Sequence, residues 1–316
     1  MWYIFLYRGR MNKENRTGKT YRSMLGFLAL LAVIILALSF LFAPLKQLGY
    51  QYTEVQTKVK ELEKLEDHPE VLFFGDSIAW SGYDPEVFWT EDGIPSYSCA
   101  TSGQWLGDGR IILETALKEQ DPKVILWDAN SFYTNISRIK YALSSYLPVF
   151  HYHFAWTALA VDESDPKLRG FNRNSGIQPY SGSEAYMDIS MGPEAMKDIA
   201  GEELDRIEEI CCRDGVRLIV VCAPNPMHWN MGRHTAVQQW CDQKNIAFID
   251  CNLMTEELGI DWQTDTRDGG EHMNDSGAGK ISRYLAGYLR ENCSLEDHRN
   301  DSEYQAYNRD YGEADS

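Results

Sequence analysis

Residues Val71–Ser77 read VLFFGDS, and this stretch decides the fold class. Four apolar residues suffice for a short buried strand, and the run ends at Gly-Asp-Ser. A glycine lets the chain turn sharply, so that the following serine is exposed at the carboxyl end of the strand. An open α/β sheet places its chemistry at that edge. The stretch therefore predicts a strand that presents Ser77 at the working edge of a sheet.

Further apolar runs alternate with helix-like segments along the chain. The later predicted strands are Ser96–Ala100, Lys123–Trp127, Val216–Cys222 and Ala247–Asp250. Continuous apolar strands that alternate with helices are typical of a parallel sheet covered on both faces. We therefore predict one three-layer α/β domain over residues 68–293.

A charge-free apolar segment, Met24–Ala43, precedes this domain. Twenty residues at about 1.5 Å rise each match a hydrocarbon core of roughly 30 Å. Residues 1–23 hold six Lys or Arg and one Glu, which predicts a cytoplasmic basic tail and an extracytoplasmic body. A cleaved signal peptide is the alternative, but its apolar region would be shorter and end in small residues. Both Met1 and Met11 fit as the first residue.

Residues 44–67 carry an apolar stripe at alternating steps of three and four. Its members are Leu45, Leu48, Tyr52, Val55, Val59 and Leu62. This spacing predicts a helix. We interpret it as a stalk that lifts the domain from the membrane, with a short dimeric coiled coil as the alternative.

Two further segments do not follow the alternation of strands and helices. Residues 141–196 are rich in aromatic, His, Gly and Ser residues and predict an insertion over the sheet edge. Within it His153, Trp156 and Arg169 are candidates for lining a carbohydrate or anionic-polymer groove; a packed aromatic lid is the alternative. Residues 294–316 carry seven acids and two arginines without apolar periodicity, which predicts a disordered tail.

Charge and cysteine content exclude several classes of function. The net charge is −17, and residues 24–316 alone hold 24 basic and 46 acidic residues. An acidic body argues against nucleic-acid binding, which needs Lys and Arg to neutralise phosphates. The seven cysteines form no C-x-x-C or zinc-ligand spacing and predict small core residues rather than a metal site. The sequence has no Gly-rich motif of the kind that binds the phosphates of a nucleotide, and we expect no cofactor.

Asp268-Gly-Gly-Glu-His272-Met-Asn supplies the partners that Ser77 needs. A serine hydroxyl is inert until a base takes its proton, and an acid near the imidazole can hold the tautomer that accepts it. We predict Ser77 as nucleophile, His272 as base and Asp268 as the orienting acid, with Asp265 as the alternative acid. The competing interpretation is a turn that leads into a capped helix.

Two loops are candidates for stabilising an oxyanion. Gly103 follows the second predicted strand and offers a backbone N–H, and Asn130 follows the third and offers a side-chain amide. Both loops leave the carboxyl end of their strands, on the same rim as Ser77. Ordinary turn chemistry is the alternative for both residues.

These residues follow the order of the four blocks of the SGNH/GDSL hydrolases, which the chain resembles over residues 70–292. The segment 268–280 is similar to the membrane-anchored, DltD-like branch, which works in D-alanylation of teichoic acids beside a membrane-bound O-acyltransferase. The resemblance implies a flavodoxin-like sheet, a Ser-His-Asp triad and an oxyanion hole formed by the N–H groups of Ser77 and Gly103 with Asn130. The usual acid lies three residues before the histidine, whereas Asp268 lies four before.

We therefore expect a membrane-anchored extracytoplasmic serine esterase or O-acyltransferase that acts on acyl esters of cell-envelope polysaccharide. The expected partners are an acylated polysaccharide or teichoic-acid-like polymer, the membrane, and a membrane-bound O-acyltransferase. The alternative is a non-catalytic scaffold of the same fold that binds envelope polymer or such an acyltransferase.

Overall fold

Five parallel strands form one sheet in the order β2-β1-β3-β4-β5. They are β1 (Val71–Phe74), β2 (Ser96–Ser98), β3 (Val124–Asp128), β4 (Arg217–Cys222) and β5 (Ala247–Asp250). This is the flavodoxin-like strand order, whose carboxyl edge carries the ligand site in doubly wound folds. The predicted strands are confirmed, each to within two residues at either end.

The coordinates are a computed structural model that describes residues 2–134, 136–160, 165–188 and 192–312. The helices in this part of the chain are α1 (Trp2–Phe42), α2 (Tyr52–Lys64), α3 (Ser77–Trp80), α4 (Pro85–Asp92), α5 (Leu106–Glu119), α6 (Arg138–Tyr146), α7 (Val149–Tyr152), α8 (Asp198–Asp214), α9 (Met231–Lys244), α10 (Asp275–Asn292) and α11 (Gln305–Tyr311). The chain forms two compact units: Met1–Gln47 with Ser137–Trp156, and Leu48–Ile136 with Thr157–Ser316.

The second unit has three layers because alternate strand residues face opposite sides of the sheet. Leu72 and Phe74 of β1 enter a core shared with α2, α5, α8 and α9. Val71 and Phe73 enter the opposite core, which α4 and α10 close. The predicted three-layer α/β class is therefore confirmed.

The helix predicted within residues 44–67 exists, but it is not a stalk. In α2, Val55 and Leu62 are fully buried and belong to the same core as Ile112 and Leu113 of α5. The apolar stripe that suggested a free helix or a dimer contact is covered by the chain's own domain. A six-residue 3-10 turn, Ala43–Leu48, precedes α2.

The predicted disordered tail is wrong for the residues that the structure describes. Tyr307 in α11 is fully buried and stacks on Trp89 of α4 at a ring distance of 4.8 Å. Its hydroxyl donates to the Ser96 carbonyl at 3.0 Å. Two aromatic rings bury enough apolar surface to order an acidic segment that lacks periodicity. Residues 313–316 lie outside the described part of the chain.

The predicted insertion divides between the two units. Residues 137–156 form α6 and α7 and belong to the first unit, whereas the segment from Thr157 belongs to the second. Residues 161–164 and 189–191 of this stretch lie outside the described residues.

The N-terminal apolar segment is helical. Residues Thr20–Leu48 are long and apolar enough to cross a membrane, and a signal sequence would have the same character. The helix is continuous from Trp2, so the basic residues before position 24 share it.

Candidate active site

The turn after β1 holds Ser77 at the start of α3. Gly75 has φ +146°, and a Cβ there would lie 2.7 Å from the Cβ of Ala79 and 2.9 Å from that of Asp128. Only glycine fits that approach without a shift. Asp76 then caps α3, because its carboxylate accepts the Ile78 N–H at 3.0 Å. The local sequence thus dictates both the bend and the helix start that point Ser77 out of the sheet edge.

The loop before α10 brings His272 to the same place. Gly269 and Gly270 have φ +81° and +101°, and a Cβ at Gly270 would lie 2.7 Å from the Tyr180 ring. An isolated bridge between Thr266 and Met273 closes the loop. The competing interpretation is also correct in part: Asn274 caps α10, as its side chain accepts the Ser276 and Gly277 N–H groups.

Ser77, His272 and Asp268 form a hydrogen-bonded chain. His272 Nε2 lies 2.7 Å from Ser77 Oγ, and His272 Nδ1 lies 2.6 Å from Asp268 Oδ2. The other carboxylate oxygen of Asp268 accepts the His272 backbone N–H at 2.8 Å. A proton on Nδ1 facing the carboxylate leaves Nε2 as the acceptor for the serine proton, which is the arrangement of a serine-hydrolase triad.

Asp265 does not contact the imidazole. It is fully buried, and its oxygens accept the Lys280 ammonium at 2.6 Å and the Ser276 hydroxyl at 2.7 Å. Burial raises the pKa of Asp265, but Lys280 and the Asp261 N–H outweigh it and lower that pKa overall. The structure therefore gives the contact with His272 to Asp268. Asp268 lies four residues before His272 rather than the usual three, and the positive φ angles of Gly269 and Gly270 let this longer loop close.

Gly103 does not line the cavity beside Ser77. It lies in the turn after β2; apart from its neighbours in the chain, the described residues place one atom within 4 Å of an added Cβ, Gln51 Nε2 at 3.4 Å. Gln51 also donates to the neighbouring Ser102 carbonyl at 3.3 Å, so this turn faces the start of α2. The role of Gly103 as an oxyanion donor therefore stays a prediction.

Asn130 lines the cavity but turns its amide hydrogens away from it. Its Nδ2 donates to Asp128 Oδ1 at 2.9 Å and to Cys222 Sγ at 3.4 Å. Its Oδ1 is buried and has no hydrogen-bond partner among the described residues. As oriented, the two amide hydrogens of Asn130 are engaged by Asp128 and Cys222 and are not offered to an oxyanion.

Asp128 is the reason for this orientation. Its carboxylate is fully buried and also accepts the Tyr83 hydroxyl and, at 3.1 Å, the Ala223 N–H. The pKa of Asp128 is raised to about 7 overall: burial is the main cause and the nearby Asp76 adds to it, against the lowering by the hydrogen bonds that the carboxylate accepts. Because the buried carboxyl recruits nearby donors, it competes with any oxyanion for the Asn130 amide.

Asn225 is a site residue that sequence reasoning missed. It follows β4 and is 1% exposed, and its Oδ1 accepts the N–H groups of Met227 and His228 at 3.2 and 3.0 Å. Its Nδ2 is buried without a hydrogen-bond partner among the described residues, and the side chain lines the cavity at Ser77. Asn225 could have been predicted as a site residue from its position just after a strand, because the carboxyl edge of a parallel sheet carries the site.

The cavity beside Ser77 has a volume of about 240 Å³ and a mainly polar lining. Its residues are Asp76, Ser77, Ile78, Asn130, Tyr133, Thr134, Asn225, His228, Arg233 and Glu271. Arg233 stacks on the Tyr133 ring at 4.4 Å and pairs with Glu194 at 3.1 Å, while His228 lies 3.2 Å from Glu271. Ile78 is the one aliphatic side chain, so the cavity suits a polar group better than a long acyl chain.

Arg169 is not among the residues that line the cavity beside Ser77, but it lines a second cavity of about 430 Å³ together with Glu61 and Asp67. It is 4% exposed, pairs with Asp67 and Asp310, and lies 4.0 Å above the Tyr307 ring. Its guanidinium is thus held by two carboxylates, and the substrate-lining role of Arg169 stays a prediction. His153 and Trp156 are exposed in the first unit, and their substrate-lining role stays a prediction.

Five of the seven cysteines belong to the two hydrophobic cores. Cys99, Cys211, Cys222, Cys241 and Cys251 are buried free thiols, as predicted for core residues, whereas Cys212 is exposed and Cys293 is partly exposed. Asp268, Glu271 and His272 do bring three potential ligand atoms within 4.8 Å of one another. Two of those residues already share a hydrogen bond, which a metal ion would have to replace.

Comparison with known proteins adds the following. No protein-family model matches the chain, and no curated protein matches it. Among solved structures, it is similar to a lipase/acylhydrolase from Enterococcus faecalis (11% identity, TM-score 0.39, 70% of this chain and 95% of that one). It is also similar to a psychrotrophic esterase from Pseudoalteromonas sp. (12% identity, TM-score 0.38, 70% of this chain and 96% of that one). A third similar structure is a GDSL-like lipase from Bacteroides thetaiotaomicron (11% identity, TM-score 0.38, 74% of this chain and 92% of that one). At such low identity and TM-score we draw neither a reaction nor a substrate from these structures.

Proposed function

We propose that the protein is a membrane-anchored extracytoplasmic serine esterase or O-acyltransferase. The observation that carries the proposal is the chain of contacts from Ser77 Oγ to His272 and on to Asp268, at 2.7 and 2.6 Å. A nucleophile, a base and an orienting acid within hydrogen-bond reach are the requirement for acyl transfer through a covalent intermediate.

In the proposed reaction Ser77 Oγ attacks the ester carbonyl while His272 Nε2 takes the hydroxyl proton. Asp268 stabilises the imidazolium, which then gives the proton to the departing alcohol. The acyl group stays on Ser77 until water or a sugar hydroxyl attacks it, with His272 again taking the proton. The bond between the acyl carbon and Ser77 Oγ then breaks, and His272 returns the proton to Oγ. Water gives hydrolysis and a sugar hydroxyl gives transfer.

The Ser77 N–H at the start of α3 and the Asn225 amide are the proposed oxyanion donors. The first N–H groups of a helix have no partner within the helix. The Asn225 Nδ2 is already desolvated in the cavity wall, so an oxyanion would supply its missing partner. Asn130 joins them only if its amide rotates away from Asp128.

We propose a short acyl group on a hydroxyl-rich polymer as the substrate. A polar cavity of about 240 Å³ suits a small acyl group and a sugar-like neighbour. Cell-envelope polysaccharide or a teichoic-acid-like polymer, with a membrane-bound O-acyltransferase as partner, is the choice that the DltD-like resemblance suggests. The six basic residues before the apolar helix favour a cytoplasmic N-terminus and an extracytoplasmic second unit.

Covalent labelling with a fluorophosphonate probe tests the nucleophile. The full chain in detergent should be labelled, Ser77→Ala should not be, and His272→Ala should be labelled far more slowly. Ser102→Ala, which changes an exposed loop serine, is the matched control and should label like the wild type. Equal labelling of Ser77→Ala and wild type would overturn the proposal.

A non-catalytic scaffold is the second candidate. The observations in its favour are that Gly103 is not among the residues that line the cavity and that the Asn130 amide already donates to Asp128. A wild-type chain that is folded by circular dichroism but inert to the probe, together with full in-cell rescue of a deletion by Ser77→Ala, would favour the scaffold.

A further inference from the structure

Residues 138–156 expose an apolar face within the first compact unit. The exposed fractions are 75% for Ile139, 82% for Tyr146, 53% for Phe150, 55% for Phe154 and 64% for Trp156. Ile139 and Tyr146 are two turns apart on α6, and Phe154 follows Phe150 by four residues. Single exposed apolar residues are ordinary on protein surfaces, whereas a group of this size marks a binding surface.

The face lies at the carboxyl end of the apolar helix. α7 packs on α1. Over residues 20–42 the side chains of α1 are exposed except at Ile35, Ser39 and Phe42, which share one side of its last two turns. Lys46, just beyond α1, also hydrogen-bonds the Ser145 carbonyl near the end of α6. The packing of α6 and α7 is therefore confined to the end of the span.

We propose that residues 138–156 are a second membrane-binding element, which lies in the outer interfacial layer of the bilayer; the proposal rests on the membrane anchoring of α1 proposed above. A helix that crosses the hydrocarbon core puts its end at the headgroup level, so whatever packs on that end meets the same layer. The occupant of the apolar face is the lipid itself.

The residue types fit that layer. Tyr146 and Trp156 have the amphipathic rings that are enriched at membrane–water interfaces. Lys140, exposed on α6 next to Ile139, can extend its ammonium to lipid phosphates while its stem stays on the apolar side. Such elements lie with their apolar face about 5–10 Å into the boundary between headgroups and acyl chains. The element would fix the first unit against the membrane surface at two places rather than one.

Spin labels on the full chain in nanodiscs of phosphatidylcholine and phosphatidylglycerol test this. The background carries Cys212→Ser and Cys293→Ser, because these are the cysteines that are not buried. Labels go on Tyr146→Cys in the proposed element, Val33→Cys in the middle of the span, and Ile177→Cys in the second unit. Ile177 is the matched control because it is 60% exposed and apolar like the residues under test.

Power saturation with oxygen and with a water-soluble nickel chelate gives the depth of each label. We expect the Tyr146→Cys label to be accessible to oxygen, shielded from nickel and shallower than the Val33→Cys label, with Ile177→Cys fully accessible to nickel. Phe154→Cys should repeat the Tyr146→Cys result from the other end of the element.

Three results would overturn the inference. With Val33→Cys deep in the bilayer, nickel accessibility at Tyr146→Cys equal to that at Ile177→Cys would leave α1 as the only anchor. Shielding of Tyr146→Cys from both reagents would mean that a second copy of the chain covers the face. If the Val33→Cys label is itself accessible to nickel, α1 does not cross the bilayer. The proposed anchoring and the proposed second membrane-binding element are then both rejected.

Discussion

The two halves of the candidate site are built differently. On the nucleophile side, two short turns with positive-φ glycines hold Ser77 and His272, and their side chains meet at 2.7 Å. On the oxyanion side, the Gly103 turn faces α2, and the amide of Asn130 is engaged by Asp128. A side chain that is positioned by its own local turn can be inferred from the sequence. An amide whose direction depends on which buried group it hydrogen-bonds is harder to infer.

Loss of the nucleophile is the largest effect that we expect. Ser77→Ala should lower kcat for a small ester such as p-nitrophenyl acetate by about 10⁴-fold or more, because residual catalysis then comes from binding and oxyanion contacts alone. His272→Ala should cost about as much. The double variant should be no worse than either single one, since the two groups act as one unit. Additive losses would break the pairing on this side of the site.

The acid is the next test of the nucleophile side. Asp268→Asn should lower kcat by about 10³- to 10⁴-fold, because an amide favours the wrong imidazole tautomer. Asp265→Asn is the matched control: it removes the charge that pairs with Lys280 and should reduce the free energy of unfolding while kcat stays within a few-fold. A larger kcat loss in Asp265→Asn than in Asp268→Asn would reverse the assignment.

The third test concerns the buried acid behind the oxyanion side. The pKa of Asp128 is raised by burial to about 7 in the folded chain, against an unfolded value near 3.8. The folded state therefore binds the proton more tightly. The stability from this group is present below about pH 4 and is lost as the pH rises towards 7 and beyond.

Urea unfolding of wild type and Asp128→Asn at pH 4.5 and pH 8 measures this contribution. The neutral amide lacks the titration, so the stability of the variant relative to wild type should improve by about 3 kcal/mol from pH 4.5 to pH 8. The same difference at both pH values would show that Asp128 titrates normally, and would remove the competitor that we invoke for Asn130.

The smallest expected effect separates the two candidate amide donors. Asn225→Ala should lower kcat by about 10²-fold with little change in KM, as expected for a donor that acts on the oxyanion only. Asn130→Ala should change kcat less, because its amide hydrogens already serve Asp128 and Cys222. The opposite ranking would mean that the Asn130 amide rotates during the reaction and that the two halves of the site are alike.

Elsewhere in the chain, sequence-based predictions also failed where the outcome depended on contacts with distant residues. The stripe containing Val55 and Leu62 predicted a helix correctly, but its periodicity could not say that α5 would cover it. The acidic C-terminal segment carries no periodic signal, yet Tyr307 finds Trp89 more than two hundred residues earlier in the chain. Arg169 is predicted from the sequence as a substrate-lining residue, and no pattern in the sequence indicates that its guanidinium pairs with Asp67 and Asp310.

The amino-acid sequence by itself determined the parallel sheet, the turn at Gly75, the loop that holds His272 and the apolar N-terminal helix. Each of these depends on local features: strand hydrophobicity, glycines at positive φ, a capping side chain, and the length of an apolar run. Only the tertiary structure decided that Asp268 rather than Asp265 contacts the imidazole, and where the amides of Asn130 and Asn225 point. The reason is that a buried hydrogen bond is allotted by competition among all groups within reach, and most of those groups come from distant parts of the chain.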